Sequence, residues 1–571
     1  MEGAAEPDLP TTSRILPSRF GACLFACKAT LLRFWRRAYD MKSGPRRQPN
    51  GLDLVDAAIV ATSTSALWPE DDEDALLSAG KVQNLRVAIR ALDGGEVQAG
   101  QVLGFWKQVG RASRRRGYVE GRELREGCLV PSVGGGLCQL SNALYDAALS
   151  AGLEIVERHA HSKVVPHSSA AKGRDATVFW NYIDLRLRSS EAWRIEVDMD
   201  GGALRVTIRG WFTPTAAPPA SCSQMPPTQH VQACGTCDGF GCWRHAPQAQ
   251  LVRRKTWVRL ADEWPEFADD RARRYRPSDR VLTGGGLPPL GVRLWRRWKQ
   301  RGLPLPERRR FDAVEQARAL ARRLHFTDRD LVIPQELLVP WWRSGILAGR
   351  RFEVLMEALP ARELQLQLDL ASMRHPDSHT LVDFRIDPAW VADEAAALAR
   401  ADAWITPHHL ILEHAGAATI ALPWQMPEGV PLVEGRRRQP EASLQLLLPA
   451  SALARKGVHA LRAVLRESAM TLLLPPGAEE SPGFWEGCSI RRVSSLEAGL
   501  AQADAAVLPA WVEHQPRGLL LALASGIPVI ATAACGLPRD GGWVEVPAGD
   551  SVALAVALRA LPQRADPTLP A

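Results

Sequence analysis

Residues 503–538 read ADAAVLPAWVEHQPRGLLLALASGIPVIATAACGLP. Ala505–Leu508 is a short apolar run, Gly518–Ser525 has the composition of a helix, and Ile527–Thr532 is a second apolar run. The alternation extends to both sides. Leu444–Leu448 and Met470–Leu474 read as leucine-rich strands, while Gly457–Arg466, Ser494–Ala503 and Ser551–Leu561 read as helices, the last capped by Asp550. Strands apolar on both faces need helices on both sides of their sheet. The repetition predicts a doubly wound parallel sheet, a fold that binds ligands outside the carboxyl ends of its strands.

Lys456 stands where the first of these strands gives way to its helix, and it is the only lysine after Lys299 in an arginine-rich chain. A compact ammonium beside a helix N-terminus suits a diphosphate. Together with the quoted stretch, Ser451-Ala452-Leu453-Ala454-Arg455-Lys456-Gly457 resembles the C-terminal half of GT-B retaining glycosyltransferases of the large family four. The resemblance implies a nucleotide-sugar donor as substrate. Lys456 and Gly457 would lie at its diphosphate, Glu513 near the donor sugar, and Gly518 at the start of the following helix. Two positions depart from the family pattern. Ser451 replaces an arginine that would contact phosphate, and Leu521 replaces a glutamate that would bind the ribose hydroxyls. A carboxylate acceptor of that kind contributes roughly 1.5–3 kcal/mol of charged hydrogen bonding.

The partner half of such a fold falls on residues 251–420. It holds Leu331–Gln335, Thr380–Arg385 and Ala403–His409, with His408 and His409 on the acceptor side. Residues 251–310 must supply the missing strands, but no clear strand is legible there.

A second constellation lies upstream. Gly134-Gly135-Gly136 leads into Leu137-Cys138-Gln139-Leu140-Ser141, and Leu140, Ala143, Leu144, Ala147, Ala148 and Ala151 form one apolar helical face closed by Gly152. Cys138 therefore occupies the first turn of a helix, where the unpaired N–H groups favour a thiolate. His159, His161 and Asp175 follow, which completes the inventory of nucleophile, base and orienting carboxylate. A buried structural cysteine behind a glycine hinge is the other reading of the same residues.

The stretches GGGLCQLSNALYDAALSAGLEIVERHAHS and GRDATVFWNYIDLRLRS, with KVQNLRVAIRALDGGEVQAGQVLGFWKQVGR before them, resemble the VanW family over about Gly51 to Trp211. That resemblance names a family without fixing a reaction. A cysteine hydrolase acting on peptidoglycan-precursor amides, with Cys138 as nucleophile and His161 as base, is the chemistry we read from the residues. The second half of this domain reads as β-rich, with strands at Thr177–Leu187, Trp193–Met199 and Ala203–Trp211 and a hairpin turn at Asp200-Gly201-Gly202.

Between these regions Cys234, Cys237, Cys242 and His245 are spaced C-x2-C-x4-C-x2-H, with Cys222 as an alternative ligand. Soft ligands this close suit tetrahedral zinc in a structural clip. An iron–sulfur cluster with Cys222 replacing His245, or a free-thiol loop, are the other readings. The zinc reading predicts about one zinc ion per chain by metal analysis, lost when Cys234 and Cys237 are both changed to serine. Full occupancy in that double variant would refute it.

At 571 residues with 46% hydrophobic and 23% charged side chains, the chain reads as a multidomain globular protein. A net charge of +7 over this length does not call for nucleic acid, and no interleaving of aromatic and basic residues marks an RNA module. No apolar run reaches the ~18–20 residues that span a bilayer. The patch Phe20–Leu32 is interrupted by Lys28 and lacks a small-residue cleavage site, while Trp35, Arg36 and Arg37 beside it allow peripheral membrane contact.

The expected class is α/β multidomain. It comprises a basic extension (1–50), an α+β VanW-like domain (51–211) and a Cys-rich metal-binding linker (212–250). The two halves of a doubly wound GT-B-like domain follow, the acceptor half (251–420) and the nucleotide-sugar half (421–571). The expected protein is cytoplasmic, or peripheral at the inner face of the membrane, and transfers sugar to an envelope or polysaccharide acceptor. A non-catalytic GT-B scaffold is the alternative favoured by Ser451 and Leu521.

Overall fold

The computed structural model describes residues 19–43, 45, 52–68, 75–125, 128–161, 174–180, 182–214, 232–233, 251, 253–284, 298–299, 301, 305–382, 385–430 and 443–561. Cys222, Cys234, Cys237, Cys242 and His245 lie outside the described residues. Among the described residues no cluster of three or more metal-capable side chains occurs. The chain forms two compact units: Met1–Arg253 with His325–Arg329 and Ala348–Arg350, and Arg254–Leu324 with Asp330–Leu347 and Arg351–Ala571.

The first unit is α+β. A four-stranded antiparallel sheet runs in the order Ile59–Ala66, Ala203–Gly210, Trp193–Met199, Glu96–Val97. Trp193–Met199 buries every second side chain, as a strand with one face on the core must. The expected hairpin forms because Asp200 Oδ1 accepts from the backbone N–H groups of Gly202 (2.8 Å) and Ala203 (2.7 Å). Helices Ala75–Leu92 and Leu137–Ser150 contribute Leu85, Leu140 and Leu144 to one core with Phe105 and Trp193. Gly152 ends the second helix at φ +73°, and Leu153 N–H reaches back to Ala148 O at 2.9 Å.

The strand expected over Thr177–Leu187 is a loop for most of its length, and only Arg186–Arg188 joins a sheet. Side chains take the place of the ladder there. Asp184 Oδ1 accepts from the N–H groups of Trp106 and Leu185, both at 3.1 Å, and Asn142 Oδ1 accepts from Ala176 N–H.

The second unit holds two six-stranded sheets with all strands parallel. The first is ordered Arg280–Thr283, Lys255–Arg259, Asp330–Pro334, Arg351–Leu355, Ala403–Thr406, Ala418–Ala421. Its first two strands fall in the stretch where none was legible. Of the segments assigned to this half, Leu331–Gln335 and Ala403–His409 overlap its strands, whereas His379–Val382 forms a 3-10 turn. Thr380 Oγ1 and Ser378 Oγ both donate to Glu480, which draws the chain away from the sheet.

The second sheet is ordered Ser489–Arg492, Thr471–Leu474, Gln445–Leu447, Ala505–Leu508, Val529–Ala531, Val544–Glu545. In chain order this is 3-2-1-4-5-6, the Rossmann arrangement. The central strands Thr471–Leu474 and Ala505–Leu508 are buried at every position, as covering on both faces requires. Asp550 caps the last helix by accepting from Ala553 N–H at 2.9 Å. Two parallel sheets of this kind give the unit its GT-B-like architecture.

Candidate functional site

In the second unit the strand order reverses between Gln445–Leu447 and Ala505–Leu508. Ligands of such sheets bind at the carboxyl ends of the two strands that flank the reversal. Lys456 leaves one of these strands and Glu513 leaves the other. Gly457 brings them together: it adopts φ +78°, and a Cβ on it would lie 1.8 Å from Pro509 O, so only glycine lets the two loops touch.

Lys456 Nζ donates to Glu513 Oε2 at 2.8 Å and to Val512 O at 3.0 Å. The Glu513 carboxylate also accepts from Gln515 N–H at 3.0 Å. Both side chains are nearly buried, at 12% and 11% exposure, so the ion pair acts in a low-dielectric setting. Gly518 lies in the first turn of helix Arg517–Ala524, where a Cβ would come within 2.6 Å of Pro449 O. Leu521, on that helix, is partly buried against the core of the sheet.

His408 is fully buried, and its Nε2 bonds Glu513 O at 2.9 Å. Burial holds its pKa below the ordinary value, so the ring is neutral and donates to this carbonyl. It supports the Glu513 backbone from beneath. His409 begins the short helix His409–Glu413, and its N–H bonds Gly536 O at 3.2 Å.

One feature of this unit carried no sequence signal. Arg517 forms two parallel bonds to Glu266, at 2.6 and 2.7 Å, and lies over the Trp424 ring. Burial pushes the Glu266 pKa up, but the bonds from Arg517 and Gln425 N–H bring it below its ordinary 4.5. Arg517→Ala should therefore lower unfolding stability by about 2–3 kcal/mol, because it strands a buried carboxylate. The deficit should be full above about pH 4.5 and shrink as pH falls through the lowered folded-state pKa, as measured by urea titration at several pH values.

In the first unit the glycine turn delivers Cys138 as expected. Gly136 adopts φ +97°, and a Cβ on Gly135 would lie 2.3 Å from Gly121 O. Helix Leu137–Ser150 then begins, with Cys138 in its first turn. Cys138 Sγ lies 3.7 Å from Thr177 Oγ1 and 3.9 Å from Val178 O. Asp175 Oδ1 bonds His161 Nδ1 at 2.5 Å, and its other oxygen accepts from His161 N–H at 2.5 Å.

Burial, the largest influence, pushes the Cys138 thiol up. The hydrogen bond and charge of His161, with hydrogen bonds from the Val178 backbone and Thr177, outweigh it and bring the pKa below the ordinary value. Burial likewise depresses His161, but Asp175 and Cys138 together raise it to about 10. His161 is therefore protonated at neutral pH, and its charge favours the thiolate form of Cys138. The structure thus brings Cys138, His161 and Asp175 together in that order. His159 stays outside, half-exposed beside Glu157 Oε1 at 3.2 Å.

Residues not singled out in the sequence fix this arrangement. Ser141 Oγ donates to Ala176 O at 2.6 Å and Asn142 Oδ1 accepts from Ala176 N–H at 2.8 Å, so the cysteine helix itself grips the backbone next to Asp175. Arg158 Nε donates to Asp175 O at 2.6 Å.

Comparison with known proteins matches both regions. Residues 80–209 fit the family described as "VanW like protein", and residues 488–564 fit "Glycosyl transferases group 1". The chain carries a VanW domain and a group 1 glycosyltransferase domain. The VanW match contains Cys138, His161 and Asp175. The glycosyltransferase match contains Glu513, Gly518 and Leu521, while Lys456 precedes it.

The chain is 30% identical over 201 residues to "Uncharacterized protein YoaR" of Bacillus subtilis (strain 168), which is 34% of this chain and 65% of that protein. It is 31% identical over 176 residues to "Vancomycin B-type resistance protein VanW" of Enterococcus faecalis (strain ATCC 700802 / V583), which is 30% of this chain and 61% of that one. It therefore spans less than two thirds of either relative.

Among solved structures, sucrose-phosphate synthase of Thermosynechococcus elongatus matches 54% of this chain and 89% of its own, at 14% identity and a TM-score of 0.36. Anabaena Alr3699/HepE in complex with UDP and glucose matches the same shares at 15% identity and a TM-score of 0.31.

Proposed function

We propose that the glycosyltransferase domain moves a sugar from a nucleotide-sugar donor to an acceptor of cell-envelope or polysaccharide assembly. The observation that carries this reading is the Lys456–Glu513 pair at the strand-order reversal. During transfer the bond between sugar C1 and the diphosphate oxygen breaks, and an acceptor hydroxyl oxygen bonds C1 and gives up its proton. Lys456 is placed to meet the negative charge that grows on the leaving diphosphate. Glu513, held by Lys456 and Gln515 N–H, is placed to orient the sugar hydroxyls. Leu521 supplies no ribose contact, so the domain would select its donor mainly through sugar and diphosphate.

The test is a transfer assay with a panel of nucleotide sugars and lipid or saccharide acceptors. Release of nucleoside diphosphate that depends on both donor and acceptor supports the reading. A folded protein that releases none with any donor favours the scaffold alternative.

A specific observation favours a second activity in the VanW domain. The Cys138 sulfur beside the His161 imidazolium, steadied by Asp175, suits attack on an amide carbonyl. The Cys138 sulfur would form a thioester as the amine leaves with a proton from His161, and water or a second amine would then release the acyl group. Peptide amides of peptidoglycan precursors are the substrate class we assign to it. Incubation with muropeptides should yield a mass adduct on Cys138 that is absent from Cys138→Ala.

A further inference from the structure

Helix Arg19–Ser43 faces the protein with its polar side. Arg36 pairs with Glu157, Asp40 with Arg186 at 2.7 Å, and Arg33 Nε donates to Trp180 O at 3.3 Å. Ala29, on the same side, is buried. The opposite side carries Phe20, Leu24, Cys27, Leu31, Phe34 and Trp35 at helical spacing, and Phe20, Phe34 and Trp35 are each more than 70% exposed. This inverts the usual plan of a surface helix, whose apolar stripe faces the core.

The charges around the outer face are of one sign. Lys28 and Arg37 are exposed, and the helix's single carboxylate, Asp40, is turned inward onto Arg186. No described helix is long and apolar enough to cross a membrane. An apolar ridge about 22 Å long, rich in aromatic residues and bordered by cations, matches the interfacial zone of a bilayer.

We propose that this outer face lies in the surface of a lipid bilayer bearing anionic headgroups. The aromatic and leucine side chains enter the acyl boundary, while Lys28 and Arg37 meet the headgroup phosphates. The inward ion pairs fasten the VanW domain to the membrane-bound helix. They do so through Glu157, four residues before His161, and through Trp180, two residues after Val178 beside Cys138. This inference stands independently of either catalytic reading.

The test is co-sedimentation of the full chain with vesicles of phosphatidylcholine alone and with about 30% phosphatidylglycerol, whose anionic surface attracts basic side chains. The chain should pellet with the anionic vesicles, less with the neutral ones, and less again at high salt. The combined variant Leu31→Ser, Phe34→Ser, Trp35→Ser should bind at least ~10-fold more weakly with an unchanged melting midpoint. If that variant does not fold, Lys28→Glu with Arg37→Glu should remove the preference for anionic vesicles instead. A wild-type chain that stays in the supernatant, or an outer-face variant that binds like wild type, overturns the proposal. So does a dimer in sedimentation velocity that the outer-face variant disperses, because the face would then belong to a second copy.

Discussion

Lys456→Ala should lower sugar transfer by about 10²–10³-fold, far more than its loss of stability accounts for. The size follows from what the ammonium does: an oriented charge at a developing anion in a site with little water is worth that much in rate. Lys456 also holds Glu513 at 2.8 Å, so its loss frees the carboxylate that orients the sugar. The stability cost should be about 1–3 kcal/mol, because the nearly buried Glu513 carboxylate loses its cation. Glu513 keeps the Gln515 N–H and gains access to water where the ammonium stood. Lys456→Arg should rescue poorly, since a planar fork cannot sit as a point charge between Val512 O and Glu513. Steady-state assays with calorimetric melts separate the two effects. Undiminished transfer by a folded Lys456→Ala protein would place the diphosphate elsewhere.

His161→Ala should reduce alkylation of Cys138 at pH 6, by about tenfold for each unit that the thiol pKa rises. In the wild-type chain His161 stays protonated up to about 10, and its charge favours the thiolate. Without the imidazolium only burial remains as the leading influence, and it raises the thiol. A thiol near or above its ordinary ~8.5 is under ~1% ionised at pH 6. Asp175→Asn should give a smaller loss, since it removes the carboxylate but leaves the ring. Competitive labelling followed by mass spectrometry across pH 5–9 measures both. Cys535 is the internal reference: burial pushes its pKa up to about 12, so it should react only on unfolding. Equal labelling of Cys138 in wild type and His161→Ala would dissolve the pair.

How legible these sites were depends on what each residue packs against. The central strands of the C-terminal sheet announced themselves, because Thr471–Leu474 and Ala505–Leu508 are buried at every position and have to be apolar. The edge strands Ser489–Arg492 and Val544–Glu545 left no such trace, since most of their side chains face water. Lys255–Arg259 was obscured differently. Its three buried residues are bracketed by charges, and the ion-pair partner of Lys255 is Glu353, on a strand about a hundred residues away.

The VanW site was half legible. Three glycines before a cysteine and an apolar helical face fixed Cys138 locally. His161 was named as the base from the sequence, but the hold of Ser141 and Asn142 on Ala176, next to its partner Asp175, appears only in the fold. The Arg517–Glu266 pair, spanning about 250 residues, belongs to the same class of contact. Ser451 and Leu521 were legible as departures from a family pattern. What Leu521 does in exchange, packing on the sheet core, appears only in the fold.

The central claim is that the strand-order reversal beside Lys456 and Glu513 holds a nucleotide sugar. Isothermal titration of the full chain against a panel of nucleotide sugars, repeated with Lys456→Ala, tests it most directly. The account predicts saturable binding of at least one donor, weakened about tenfold or more in the variant, in line with the 1.5–3 kcal/mol typical of a charged hydrogen bond. Absence of binding by every nucleotide sugar, or binding that Lys456→Ala leaves unchanged, would contradict it.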